Sequence, residues 1–81
     1  MEQALRSPEK RVVGTKQVLR ALKDGKAAKV FLCTDADEFI YRRVEVLCEE
    51  MKVPMEQVDS MQELGKRCLI GVKTAAAAIL K

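Results

Sequence analysis

Eighty-one residues with 48% hydrophobic content make one small globular domain, spanning residues 1–81, with a limited core. Aromatics are only 4%, namely Phe31, Phe39 and Tyr41, so the core must be aliphatic and no aromatic platform exists for stacking a series of bases. The net charge of +3 hides an uneven distribution: Met1–Thr34 carries +5, Asp35–Glu63 carries −6 and Leu64–Lys81 carries +4. Two basic ends can form one positive patch if they meet in space, with the acidic middle on the remote side.

In chain order, Met1–Ser7 holds a short helix around Ala4 and Leu5 that stops before Pro8. Arg11–Gly14 reads as a short strand. Val12–Lys23, VVGTKQVLRALK, organises the chain as a strand end, a glycine turn and a helix start. Gly14 permits the turn, and Thr15 is an acceptable N-cap. At 100° per residue Lys16, Arg20 and Lys23 share one side, with Gln17 at its edge. Val18, Ala21 and Leu22 fall opposite, with Leu19 on a flank. A helix N-terminus bearing cations on its open face suits an anion. On this stretch alone a solvated amphipathic face is the plainer reading, because basic helix faces are common. The helix runs to Asp24 and closes at Gly25.

Ala28–Thr34 carries the unbroken apolar run Val30–Cys33 of a strand covered on both faces. Asp35 and Asp37 offer capping carboxylates to the next helix, Glu38–Met51, with Ile40, Val44, Leu47, Cys48 and Met51 as its core stripe. Val53-Pro54 breaks that pattern. Met55–Asp59 is a parallel strand with Val58 inward. Ser60-Met61-Gln62-Glu63 matches the capping box S-x-x-E of a short helix ending near Gly65–Cys68. Leu69–Thr74 is an apolar loop. The alanine-rich tail to Ile79-Leu80 reads as a buried strand whose small residues allow close packing, against the helical propensity of alanine. Alternating strands and helices imply an α/β layered sandwich around one mainly parallel sheet.

Several chemistries are absent. There is no histidine, so no Ser/Cys–His arrangement is possible. Neither a phosphate-binding G-x-x-x-x-G-K-[ST] nor a G-x-G-x-x-G is present. Cys33, Cys48 and Cys68 form no C-x-x-C pair and read as small buried hydrophobes in a reducing cytoplasm. No signal peptide or membrane span is visible. Asp35 and Asp37, at the end of the apolar strand, are the best enzymatic reading as a Mg²⁺ site for phosphoryl transfer, but helix capping is plainer. In the segment from Gly65 to Thr74, exposed aliphatic groups beside Lys66, Arg67 and Lys73 suit phosphates and unstacked bases. The same aliphatic groups read equally well as tucked into the core.

Gly14-Thr15-Lys16-Gln17-Val18-Leu19-Arg20 and Glu63-Leu64-Gly65-Lys66-Arg67-Cys68 resemble the kink-turn-binding ribosomal family named for proteins L-seven-Ae and L-thirty-e. Asp35-Ala36-Asp37 and the CEEMKVP run from Cys48 to Pro54 fit as well, and the similarity is nearest to the short bacterial members of the YbxF type. The resemblance implies a three-layer α/β/α sandwich around a four-stranded mixed sheet, with no cofactor, no metal and no catalytic residue. It implies a monomer whose partner is a structured RNA with a kink-turn, built on sheared G·A pairs, and the ribosome as a further candidate partner. The family's helix start is G-x-N-E-x-x-K, and its matching positions here are Lys16, Gln17 and Arg20. By resemblance, Gly14 and Thr15 present backbone N–H groups to a phosphate. Lys16, Gln17, Arg20 and Lys23 then meet guanine edges and phosphates. Leu69, Ile70, Gly71, Val72 and Lys73 cover an extruded base, with Ile70 and Val72 packed on it. The rival reading is a protein-interaction module of the same fold that has lost RNA binding.

Overall fold

A computed structural model describes residues 2–81. The expected short helix near the start is a 3₁₀ turn, Glu2–Arg6, which buries Leu5; Met1 lies outside the described residues. The elements that follow are β1 (Arg11–Val13), α1 (Thr15–Lys23), β2 (Ala27–Cys33), α2 (Glu38–Met51), β3 (Met55–Val58), α3 (Met61–Arg67) and β4 (Ala76–Leu80).

The strands lie in the order β1-β4-β2-β3. β1, β2 and β3 point the same way, each joined to the next through a helix. β4 enters between β1 and β2, antiparallel to both, with Val12 opposite Ala78 and Val30 opposite Ala78 on its other side. Only β2 and β3 pair in parallel. The sheet is therefore mixed and mainly antiparallel, which corrects the expectation from element alternation. The cause is local. α3 is only seven residues, about 10 Å long, and the chain then climbs back so that the Thr74 N–H donates to the Met61 carbonyl at 3.1 Å. The chain thus enters β4 from the end of the sheet at which it left β3, and β4 must run in reverse.

Helices α1 and α2 cover one face. Val18, Leu22, Val30, Leu32, Val44 and Cys48 fill that core together with Ala76 and Ala78. α3 and the 3₁₀ turn cover the other, where Leu5, Phe31, Cys33, Val58 and Leu64 meet Ala77 and Ile79. The alternation of strand side chains splits β4 between the two cores. Its alanines are buried on both faces, so packing overrides their helical propensity.

Caps fix the helix ends. Asp37 accepts from the Phe39 N–H at 2.9 Å and the Ile40 N–H at 3.4 Å. Ser60 Oγ accepts from the Glu63 N–H at 3.0 Å, while the Glu63 carboxylate pairs with Arg67 at 3.5 Å. Gly25, at φ +70°, closes α1 through Lys26 N–H to Ala21 carbonyl (2.9 Å) and Gly25 N–H to Leu22 carbonyl (3.1 Å). Along α2 the stripe is narrower than the spacing suggested. Val44 and Cys48 are buried and Ile40 and Leu47 half-buried, but Met51, in the last turn, is exposed.

Candidate functional site

α1 starts differently from α2 and α3. Gly14 occupies its N-cap at φ 97°, ψ 151°, a backbone region open essentially only to glycine. Thr15 is the first helical residue rather than the cap, and no side chain caps this end. A glycine cap has no side-chain oxygen to offer, and its carbonyl already accepts from the Val18 N–H at 3.0 Å, so the amides of Thr15, Lys16 and Gln17 have no partner within the helix. The Gly14 N–H itself donates to the Ala76 carbonyl at 2.9 Å, so it is not available to a phosphate as the resemblance implied. No acidic residue stands in the first turn. Lys16, Gln17, Arg20 and Lys23 are all exposed, with Val18, Ala21 and Leu22 buried opposite. The helix start is thus an electropositive surface of backbone donors and cationic side chains.

The second half of the site begins where α3 ends. The Ile70 N–H donates to the Gly65 carbonyl at 3.3 Å and the Leu69 N–H to the Lys66 carbonyl at 3.1 Å. These bonds put Leu69 in the left-handed region at φ 58°, a place usually given to glycine. The turn decides which aliphatic groups are free. Ile70, expected to pack on a base, is half-buried against the second core. Leu69 and Val72 are each 66% exposed and form the outward apolar pair. Gly65 holds the loop close, because a Cβ there would lie 1.9 Å from the Val72 carbonyl oxygen. Gln62, Lys66 and Lys73 flank Gly71 and Val72 around one shallow cleft. Lys66 is a member that the sequence reading did not carry into the site. Its signal was available: it lies in the last turn of the short helix, three residues before Leu69.

The two halves meet. The Gly14–Ala76 hydrogen bond ties the start of α1 to the start of β4, and Lys73 lies three residues before Ala76, within about 11 Å of chain. Both basic ends thus contribute to one end of the sheet. Several of their cations do not join the surface: Lys29 pairs with Glu56 at 2.9 Å, and Lys26 and Lys81 lie together at the opposite end of the sheet. Arg11 Nε donates to the Leu5 carbonyl at 2.9 Å and its Nη2 to the Cys68 carbonyl at 3.2 Å. Arg67 pairs with Glu56 and Glu63, both at 3.5 Å. The acidic middle is only partly remote. Asp35 and Asp37 follow β2 at the same end of the sheet, while Glu49 and Glu50 lie at the far end of α2.

The carboxylates suggested for Mg²⁺ serve the backbone. Asp35 accepts from the Met61 N–H at 2.9 Å, and Asp37 caps α2. No cluster of three or more His, Cys, Asp or Glu suited to a metal occurs among the described residues. All three thiols are buried. Burial, with the Asp35 carboxylate adding to it, pushes Cys33 from 9.0 up to about 11, and its Sγ donates to the Ser60 and Thr74 carbonyls at 3.3 Å each. Burial alone raises Cys48 to about 11. For Cys68, burial raises the value and Arg11 opposes it.

The Ribosomal protein L7Ae/L30e/S12e/Gadd45 family matches residues 1–81. The chain belongs to this family. An RNA-binding protein of Geobacillus kaustophilus is 53% identical over 70 residues, covering 86% of this L7Ae-family chain and 85% of the relative. The RNA-binding protein YbxF of Geobacillus stearothermophilus is 50% identical over 70 residues, with the same shares covered. Among solved structures, the 15.5 kD RNA-binding protein of Giardia lamblia superposes with a TM-score of 0.89 at 30% identity, over 99% of this chain and 68% of that one. An L7Ae-family α/β sandwich, with no catalytic constellation in its sequence pattern, is the setting for the surface described above.

Proposed function

We propose that this L7Ae-family chain is an RNA-binding protein and that its target is kink-turn-like RNA, an internal loop built on sheared G·A pairs. One observation carries the reading. The uncapped, cationic start of α1 and the Leu69–Val72 apolar pair stand at the same end of the sheet, joined through Gly14 and Ala76. Phosphates fit the first half and an unstacked base face fits the second. The printed names of the Geobacillus and Giardia relatives agree with an RNA partner.

Roles follow from the chemistry. Lys16, Arg20 and Lys23 attract the backbone, and the Thr15–Gln17 amides cradle one phosphate. Gln17 reads a guanine: its amide oxygen accepts from N1–H or N2–H, or its NH₂ donates to O6 or N7. Leu69 and Val72 pack on the extruded base, and Lys66 and Lys73 hold its phosphates. In this reading the protein acts as a cytoplasmic monomer and the ribosome is one place where it acts.

The test is binding at fixed salt to a kink-turn RNA, to its G·A→C·G version and to a straight duplex. Wild type should prefer the kink-turn. Gln17→Leu should lose about 1–3 kcal/mol against it, and Gln17→Glu should keep the guanine preference. Equal affinity of wild type for all three RNAs would remove the kink-turn reading. Sedimentation of the protein with ribosomal subunits, before and after a salt wash, tests the ribosomal location.

A further inference from the structure

Beside the RNA surface, and sharing Lys23 with it, α1 and α2 leave a groove between them. Leu19 from α1 and Leu47 from α2 form its floor, both half-buried against the first core. Phe39 and Val46, one heptad apart on α2, stand along it at 71% and 50% exposure. The groove runs from Phe39 to Glu50, eleven residues or about 16 Å, three helical turns. Lys23, Arg42 and Arg43 line its rim and only Glu50 opposes them. Arg42 reaches Glu38 at 3.8 Å, but both side chains are largely exposed and that pair is readily exchanged.

We propose that this groove docks an α-helix of a partner protein, with an aliphatic stripe for the floor and acidic residues on its flanks. The length fits three to four turns of helix, and an apolar trough between two helices is the usual seat for an amphipathic one. The cationic rim selects acidic flanks. RNA fits the groove less well, because the cations stand only on the rim while the aliphatic floor, with one exposed aromatic, offers no stacking series for bases. A second copy would set one net-positive rim against another. Lys23 belongs both to the groove rim and to the cationic face of α1, so the partner lies next to the RNA surface and meets it at that residue.

The probe is a synthetic four-turn peptide with leucines at i, i+3, i+7 and i+10 and glutamates on both flanks; its twin carries lysines in place of the glutamates. Binding to the full chain is followed by backbone and methyl NMR shifts. The glutamate peptide should shift Leu19, Val46 and Leu47 and leave Leu69 and Val72 unmoved. Val46→Glu, an exposed position checked by its melting curve, should weaken it at least tenfold. Arg43→Glu should weaken it likewise and restore binding with the lysine twin. Equal binding of the two peptides to wild type, or indifference to Val46→Glu, overturns the proposal. So does loss of kink-turn RNA affinity in Val46→Glu, which assigns the groove to RNA, or dimerisation of the free chain through Val46. Wild type that takes the peptide but no kink-turn RNA would refute the RNA reading and leave this one standing.

Discussion

Leu69→Gly should make the protein more stable and a poorer RNA binder. Leu69 sits at φ 58°, where a side chain costs about 1–2 kcal/mol relative to the ordinary helical region and glycine costs almost nothing. Glycine returns about 0.4–1 kcal/mol of that through the greater freedom of its unfolded chain. The side chain is 66% exposed, so little packing is lost. The net is a gain of about 0.5–1 kcal/mol, or about 2–8 °C in Tm for a domain of this size. On the RNA side, the leucine surface available to a base is lost. Full burial of leucine is worth about 1.5–3 kcal/mol, so partial burial gives about 1–2, a five- to thirty-fold weaker Kd. Lys52→Gly is the matched control. Lys52 closes α2 in the same geometry at φ 57°, with Val53 N–H on the Cys48 carbonyl at 2.9 Å, at the opposite end of the sheet. It should raise Tm by a similar amount and leave RNA affinity unchanged. Thermal melts by circular dichroism and titration with a labelled kink-turn RNA measure both quantities. A Leu69→Gly protein that melts lower than wild type, or that melts higher and binds RNA equally well, refutes the reasoning.

Gly65→Ala should lower stability by about 1–3 kcal/mol and weaken RNA binding with it, since the new methyl meets the Val72 carbonyl at 1.9 Å and displaces the loop; melting and titration together check this. Val72→Asp should leave Tm within a few degrees and abolish most RNA affinity, whereas Ile70→Asp should lower Tm, because only Ile70 packs against the second core. In alkaline solution the buried thiols act on stability. Cys33 and Cys48 rise from 9.0 to about 11 on folding, so the stability they favour is whole below pH 9 and is lost as pH climbs toward 11. Urea unfolding across that window should show the fall, and Cys48→Ala should flatten it by about 1.4 kcal/mol per pH unit.

What could be read from the residues was what they decide locally. Asp37 and Ser60 are caps because their oxygens reach amides two or three residues on, and that spacing is written in the sequence. Val30–Cys33 and the alanine tail were legible as doubly covered strands because an unbroken run of apolar residues leaves no face for water. The place of β4 was not legible, since Arg11 opposite Ile79 is a pairing between residues that share no local signal. Gly14 announced a turn, but its bond to Ala76, which withdraws its amide from a ligand, is again long-range. In the loop, the resemblance put Ile70 and Val72 on the base, whereas the structure turns Leu69 and Val72 outward. The separation into one half-buried residue, Ile70, and two exposed ones depends on the left-handed turn at Leu69, and nothing about leucine foretells that conformation.

The late arrival of β4 has a consequence for synthesis. β1 and β2 are not neighbours; each hydrogen-bonds to β4, the last strand in the chain. A nascent chain that has not yet delivered Ala76–Leu80 therefore carries two strands with open edges, and its α1 start lacks the carbonyl that positions Gly14. Assembly of the surface at that end of the sheet waits for Ala76–Leu80. A ribosome that stalls or a message that ends early yields a product whose edges invite degradation or aggregation, and which does not compete with finished molecules for their ligand.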